Sequence, residues 1–223
     1  MADEADKPDP VDADFASAVE QYQAGRLTEA RHLCERVVLR APTHAAAWHL
    51  LGVLHSLTGN RDDARIALEK AVRSNPNDPG AAFNFATLLA QMGEHREAID
   101  NFRRTLAHHP DNHQARLGRA FSLARHDARP QAVQGFRRVL AAEPANLTAV
   151  MELAGLLEKT DLPEEALDVL DAAREAHPDS VPLLSTIVAI CKRIGRLDRT
   201  EQAALALKEM RPDDPEILAQ LGG

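Results

Sequence analysis

Apolar residues recur along this chain at alternating intervals of three and four positions, in short runs separated by polar stretches. One such run, WHLLGVLHSL, is followed after a glycine and a few polar residues by ARIALEKAV. Spacing of this kind places the apolar side chains on one face of an α-helix, whereas a half-buried strand would alternate at every second residue. The pattern predicts an all-α protein made of short amphipathic helices joined by tight turns.

A period of 34 residues organises these helices. It is marked by prolines at Pro42, Pro76, Pro110, Pro144, Pro178 and Pro212. It defines six blocks without gaps, which are 11–44, 45–78, 79–112, 113–146, 147–180 and 181–214. A small residue stands at the eighth place of nearly every block: Ala18, Gly52, Ala86, Ala120, Ala154 and Val188. A fixed period in the range of 20 to 50 residues indicates stacked copies of one supersecondary unit.

Each block is predicted to be a pair of antiparallel helices. A turn residue separates its two apolar runs: Gly25, Gly59, Gly93, Asp127, Asp161 and Gly195. Small residues are expected where two helix backbones approach closely. The proline near the end of each block stops the second helix, because proline lacks an N–H and disfavours helical geometry in the residue before it.

The second block resembles the tetratricopeptide repeat. It carries Trp48, Leu51, Gly52, Gly59, Ala64, Leu68, Ala71 and Pro76 at the places of that family's signature. The resemblance extends over residues 11–214 and implies a right-handed α-solenoid of six helical hairpins. It also implies that the first helix of each hairpin lines a concave groove. Residues 1–10 are predicted to be an acidic disordered tail, and 215–223 to be a short capping helix or a truncated seventh repeat.

The resemblance also indicates which residues face the groove. The predicted partner-binding residues are Phe15, Val19, Tyr22, His49, Val53, Phe83, Thr87, Leu117, Phe121 and Met151. An apolar groove of this kind favours a protein partner that buries apolar side chains, either an extended peptide or an amphipathic helix. The alternative is that superhelical curvature or the chain's own tail closes part of the groove, so that these residues only pack.

Charged residues add two expectations. The predicted basic end of the groove consists of Arg125, Lys159, Lys192 and Arg193. It would suit an acidic residue of a peptide, of the protein's own tail or of a neighbouring copy. The fourth block carries six arginines and the fifth is strongly acidic, so ion pairs are predicted between these two blocks, although each exposed pair contributes little to stability.

Composition excludes several classes of protein. The net charge is −8, and six of the 34 acidic residues lie in the first 14 positions, so no basic face is available for a nucleic acid. No apolar run reaches the roughly 20 residues of a membrane span, and the first residues do not form a secretory signal. A cytoplasmic protein is therefore expected. Cys34 and Cys191 are predicted to be two buried thiols.

No residues form a recognisable catalytic, cofactor or metal motif. The histidines His108, His109 and His113 lack a carboxylate or thiol at metal-binding spacing, and their place near a helix end explains them better. We therefore expect a non-catalytic interaction scaffold without a cofactor. Two alternatives stay open: a self-assembling homo-oligomer, and the substrate-recognition arm of a larger sulfotransferase or glycosyltransferase.

Overall fold

The computed structural model describes residues 9–210, and these form twelve α-helices and no strand. The helices are α1 (Pro10–Gln23), α2 (Leu27–Arg40), α3 (Ala45–Leu57), α4 (Arg61–Ser74), α5 (Pro79–Gln91), α6 (His95–His108), α7 (His113–Arg125), α8 (Arg129–Ala142), α9 (Leu147–Lys159), α10 (Pro163–Arg174), α11 (Val181–Ile194) and α12 (Leu197–Met210). The all-α prediction is confirmed. The predicted tail, except for Asp9 and Pro10, lies outside the described residues. So do residues 211–214 of the sixth block, with Pro212, and the predicted cap at 215–223.

The chain divides into two compact units, with the boundary between His126 and Asp127. The first unit contains α1 to α7, and the second contains α8 to α12. In the first unit, α1 packs on α2, α3 on α4 and α5 on α6, and each of these hairpins also contacts the next helix along the chain. The first unit is therefore a short stack of helical hairpins.

The turns inside the hairpins use left-handed backbone geometry. Four of them place a glycine at positive φ: Gly25, Gly59, Gly93 and Gly195. The corresponding residues Asp127 and Asp161 adopt the same region with φ of 58° and 59°. Glycine has no Cβ to clash there, and aspartate is among the few other residues that tolerate this region. The turn residues predicted from the sequence are therefore found at the turns.

Close helix packing explains the column of small residues. A Cβ atom on Gly52 in α3 would lie 2.5 Å from Cγ of Leu68 in α4, so no larger residue fits there without a shift. Ala86 in α5 and Ala98 in α6 are likewise fully buried. The core of the first unit is therefore built from small residues at the helix crossings, with leucines and phenylalanines between them.

Side-chain caps set where the first helix of each hairpin begins. Helix α1 starts at Pro10, one residue before the predicted block, because the Asp9 carboxylate accepts a hydrogen bond from the Val11 amide at 2.9 Å. Asn112 caps α7 in the same way through the Ala115 amide at 2.8 Å. These caps satisfy backbone amides that have no partner inside the helix.

The second unit is also a stack of packed helices. In it α9 contacts α8 and α10, α10 contacts α11, and α11 contacts α12. Its core is leucine-rich, and the largest fully buried side chains are Phe136, Leu153, Leu157, Leu167, Leu170, Leu183, Leu184, Ile190 and Leu207. One predicted ion pair between the fourth and fifth blocks is confirmed, since Arg137 in α8 donates to the Glu165 carboxylate in α10.

Two further features of the described residues concern membrane spans and cysteines. No helix among residues 9–210 combines the length and hydropathy needed to cross a bilayer. Cys34 and Cys191 are both buried free thiols, as the sequence predicted.

Candidate functional site

The first helices of the hairpins in the first unit form a face with two neighbouring pockets. The amino-terminal pocket has a volume of about 490 Å³ and is lined by Phe15, Val19, Tyr22, Gln23, Ala46, His49, Leu50, Val53 and Asn84. The aromatic pocket has a volume of about 460 Å³ and is lined by Phe83, Thr87, Ala90, Gln91, His95, Phe102, Gln114, Leu117, Gly118, Phe121, Ser122 and Arg125. Helix α5 contributes residues to both pockets.

The amino-terminal pocket lies where α1, α3 and α5 approach each other. The ring of Phe15 in α1 packs against the ring of His44, with centroids 4.7 Å apart. His44 is held in place because its Nδ1 accepts a hydrogen bond from the Ala47 amide at 3.0 Å and caps α3. Phe15, Val19, Tyr22, Leu50 and Val53 are only partly buried, and Ala46 is exposed. The pocket therefore presents a mostly apolar wall with a fixed shape.

His49 forms the polar point of that pocket. Its Nε2 lies 2.7 Å from Nδ2 of Asn84, and its Nδ1 lies 3.6 Å from Oδ2 of Asp78. The other Asp78 oxygen caps α5 by accepting from the amides of Gly80 and Ala81. If the Asn84 amide nitrogen donates to Nε2, the ring proton stands on Nδ1 and faces Asp78. Burial lowers the pKa of His49, and the nearby Asp78 charge opposes that shift only in part.

The aromatic pocket is formed by α5, α6 and α7. Phe83 and Phe102 meet edge to face, with ring centroids 6.1 Å apart and an angle of 62° between the planes. A Cβ atom on Gly118 would lie 2.5 Å from Cζ of Phe102. The absence of a side chain at Gly118 therefore allows Phe102, which belongs to the second helix of its hairpin, to reach the floor of the pocket.

Two buried polar atoms in the aromatic pocket have no hydrogen-bond partner within the described part of the chain. They are Oγ of Ser122, whose residue is 0% exposed, and Nδ1 of His95. Buried polar groups in folded proteins are nearly always paired, so an exception calls for an explanation. Gln91, Gln114 and Arg125 are exposed and supply polar groups at the pocket's edge.

Nine of the ten residues predicted to line the groove lie in these two pockets. Phe15, Val19, Tyr22, His49 and Val53 line the amino-terminal pocket, and Phe83, Thr87, Leu117 and Phe121 line the aromatic pocket. Met151 is a partly buried residue of α9 in the second unit. The sequence did not indicate Phe102, His95, Ser122 or Asn84 as pocket residues. Phe102 and His95 belong to a second helix, which the repeat pattern assigns to the outer face.

The residues of the predicted basic end divide between the units. Arg125 lies at the edge of the aromatic pocket in the first unit. In the second unit, Lys159 and Lys192 are exposed, and Arg193 pairs with Glu158 at 3.2 Å. The charge of Arg193 is thus already partly balanced by a neighbouring helix.

The described residues offer no metal centre. Within residues 9–210, no three His, Cys, Asp or Glu side chains are arranged to hold a metal ion.

Sequence comparison places the chain in a family. A family model described as the cytochrome c-type biogenesis protein H TPR domain matches residues 36–148, just over half of the chain. A tetratricopeptide repeat model matches residues 123–191. A comparison with curated protein sequences finds no significant match.

Solved structures share the fold at low sequence identity. YrrB, described as a TPR protein with an unusual peptide-binding site, has a TM-score of 0.73 and 19% identity, covering 77% of this chain and 89% of that one. PilF of Pseudomonas aeruginosa has a TM-score of 0.66 and 18% identity, covering 95% and 96%. MamA has a TM-score of 0.68 and 18% identity, covering 74% and 90%. The repeats, the helical hairpins and these matches together show that the chain belongs to the tetratricopeptide repeat family.

Proposed function

We propose that this protein is a non-catalytic interaction scaffold whose first unit binds a peptide segment or a helix of a partner protein. The segment would lie along the face formed by α1, α3, α5 and α7. Tetratricopeptide repeats are protein-interaction scaffolds, and fold alone does not choose the partner. The binding surface and the class of ligand therefore have to be inferred from the pockets.

The observation that carries the proposal is the pair of adjacent, largely apolar pockets on one helix face. Four of their large side chains, Phe15, Tyr22, Phe83 and Phe121, are only partly buried. Covering such surface stabilises a complex by about 25 cal/mol per Å² of apolar area, before the costs of association. A ligand that places apolar side chains in both pockets would gain this stabilisation at each of them.

The position of α5 supports a single ligand for both pockets. Asn84 points to the amino-terminal pocket, and Phe83 and Thr87 line the aromatic one. A segment lying across α5 would therefore contact both. The side-chain amide of Asn84, which has a second N–H and a carbonyl oxygen beyond its bond to His49, would offer the segment hydrogen bonds at one pocket, and Gln114 would do so at the other. The description of YrrB as a peptide-binding protein of this fold is consistent with such a ligand.

The proposal is tested by removing the aromatic walls of the pocket. Partners captured from cells by the full chain are compared with those captured by the double variant Phe83→Ala/Phe121→Ala, and the dissociation constant of each captured segment is then measured. We expect at least a tenfold loss of affinity. The matched control is Leu39→Ala/Ile66→Ala, which removes two exposed apolar side chains from α2 and α4. If the groove variant retains every partner, the proposal is wrong.

Three finer statements stay predictions from the sequence. They are a cytoplasmic location, self-assembly into a homo-oligomer, and a role as the recognition arm of a larger enzyme. Light scattering after size-exclusion chromatography measures the mass of the assembly and so tests self-assembly directly.

A further inference from the structure

We propose that the aromatic pocket is a receptor for a tyrosine side chain of the partner segment. The inference rests on the proposed function, since it specifies what one pocket of that groove recognises. Its basis is the combination of aromatic walls with two buried polar atoms that lack partners.

The walls of the pocket suit a planar aromatic ring. Phe83 and Phe121 are partly buried, so each retains ring surface that a ligand can cover. Phe102 already meets Phe83 edge to face, and aromatic rings favour this arrangement or offset stacking at centroid distances of about 4.5 to 7 Å. The volume of the aromatic pocket, about 460 Å³, lies within the range of small-ligand pockets.

The buried polar atoms call for a hydroxyl group on that ring. Ser122 Oγ can donate and accept a hydrogen bond, and His95 Nδ1 accepts one when its ring proton is on Nε2. Neither atom has a partner among residues 9–210. A phenol hydroxyl also donates and accepts, so it can accept from the Ser122 hydroxyl while it donates to His95 Nδ1. Phenylalanine has no such group, and the indole of tryptophan can donate to one of these atoms but cannot accept from the Ser122 hydroxyl.

The charges of the lining residues further restrict the kind of ligand segment. The residues that line the pocket include no carboxylate, so nothing there would pair with a lysine or arginine of the ligand. Arg125 stands at the edge and is exposed, where it would favour an acidic residue beside the tyrosine. The expected motif is thus a tyrosine next to an acidic residue.

Side-chain analogues test the inference without knowledge of the partner. N-acetyltyrosinamide and N-acetylphenylalaninamide are titrated into the full chain, and binding is followed by the NMR shifts of the Leu117 and Ala90 methyl groups. One net hydrogen bond corresponds to roughly a three- to tenfold preference for the tyrosine analogue. Equal affinities, or no binding of either analogue at these methyl groups, would overturn the inference.

Substitution of Ser122 separates a ligand-binding role from a structural one. In Ser122→Ala, we expect the preference for the tyrosine analogue to fall by about threefold, while the melting temperature rises because an unpaired buried hydroxyl is replaced by a hydrogen atom. Ser122→Cys places a slightly larger group with a weaker donor at the same position and should give an intermediate preference. The control Ser56→Ala changes a serine of α3 whose hydroxyl donates to the Gly52 carbonyl at 2.9 Å, and it should leave the preference intact. A preference that survives in Ser122→Ala contradicts the inference.

The outcomes distinguish this inference from the proposed function. Partner capture that depends on Phe83 and Phe121, together with equal binding of the two analogues, would retain the groove and reject the tyrosine receptor. A clear tyrosine preference, together with full partner capture by Phe83→Ala/Phe121→Ala, would reject the groove as the partner site.

Discussion

Gly118 of α7 lies directly against the ring of Phe102 of α6, such that a Cβ atom on the glycine would be 2.5 Å from Cζ of the ring. Carbon atoms do not approach so closely without a shift, and Phe102 is only 2% exposed. The aromatic pocket therefore depends on a missing side chain.

Gly118→Ala is expected to destabilise the protein by about 1 kcal/mol. Overpacking a core costs roughly 1 to 3 kcal/mol, and replacing glycine with alanine inside a helix regains about 1 kcal/mol of that. Urea denaturation measures the difference. Gly155→Ala in α9 is the control, because no atom lies within 4 Å of its added Cβ. That variant should gain about 0.5 to 1 kcal/mol, and similar effects of both substitutions would contradict the packing argument.

Asp161→Gly is expected to stabilise the protein by about 0.5 to 1 kcal/mol. Asp161 holds φ at 59°, where a side chain meets the following carbonyl and glycine does not. Thermal unfolding monitored by circular dichroism gives the change. Gln134→Gly introduces the same residue at an exposed position inside α8 and should instead cost about 0.5 to 1 kcal/mol. A loss of stability in Asp161→Gly would show that its backbone is not strained.

His49 is expected to make stability depend on pH below about 6.5, the ordinary pKa of histidine. Burial lowers the pKa of His49 in the folded protein, so the unfolded state takes up the proton first as the pH falls. The contribution of His49 is thus complete above about pH 6.5 and is lost progressively toward its folded pKa. His49→Gln should flatten the curve of unfolding free energy against pH in this window, as measured by urea denaturation at a series of pH values.

Two further variants check the source of that pH dependence. Asp78→Asn retains an N-cap for α5 but removes the charge that raises the pKa of His49, so the loss of stability should extend to lower pH. His108→Gln alters an exposed histidine at the end of α6 and should leave the His49 contribution unchanged. If His49→Gln and wild type give parallel curves, the assignment to His49 is wrong.

Both cysteines are expected to resist thiol reagents until the chain unfolds. Burial is the main cause that raises the pKa of Cys34 to about 12, and it also raises the pKa of Cys191. The thiolate is the reactive form, so the disulfide reagent DTNB at pH 8 should label neither residue in the native protein and both in denaturant. Cys34→Ala and Cys191→Ala identify which thiol reacts, and rapid labelling of the native protein would contradict the prediction.

The repeat made much of the fold predictable from the sequence. Periodic prolines, small residues and turn residues such as Gly59 and Asp161 each correspond to one physical requirement of a helical hairpin, and the structure meets each requirement. The same register placed nine of the ten predicted groove residues in the two pockets. These features depend on local spacing, which a single sequence contains.

The parts of the candidate site that the sequence did not predict depend on particular pairs of residues from different helices. No spacing rule indicates that Asn84 meets His49. They lie 35 residues apart, one more than the repeat period, and so occupy different places in neighbouring repeats. Likewise, Phe102 enters the pocket only because Gly118 faces it. Ser122 is an ordinary polar residue in the sequence, and only the structure shows that its hydroxyl is buried without a partner.

The contact between Gly118 and Phe102 also limits how this surface can be transferred to another repeat protein. Grafting the residues of α5 and α7 alone onto a consensus scaffold would leave the pocket floor open or filled by a foreign side chain. A successful graft has to carry the facing residue of α6 as well. The smallest portable recognition element is therefore three consecutive helices, so libraries for new ligands should vary the outer helix together with the inner ones.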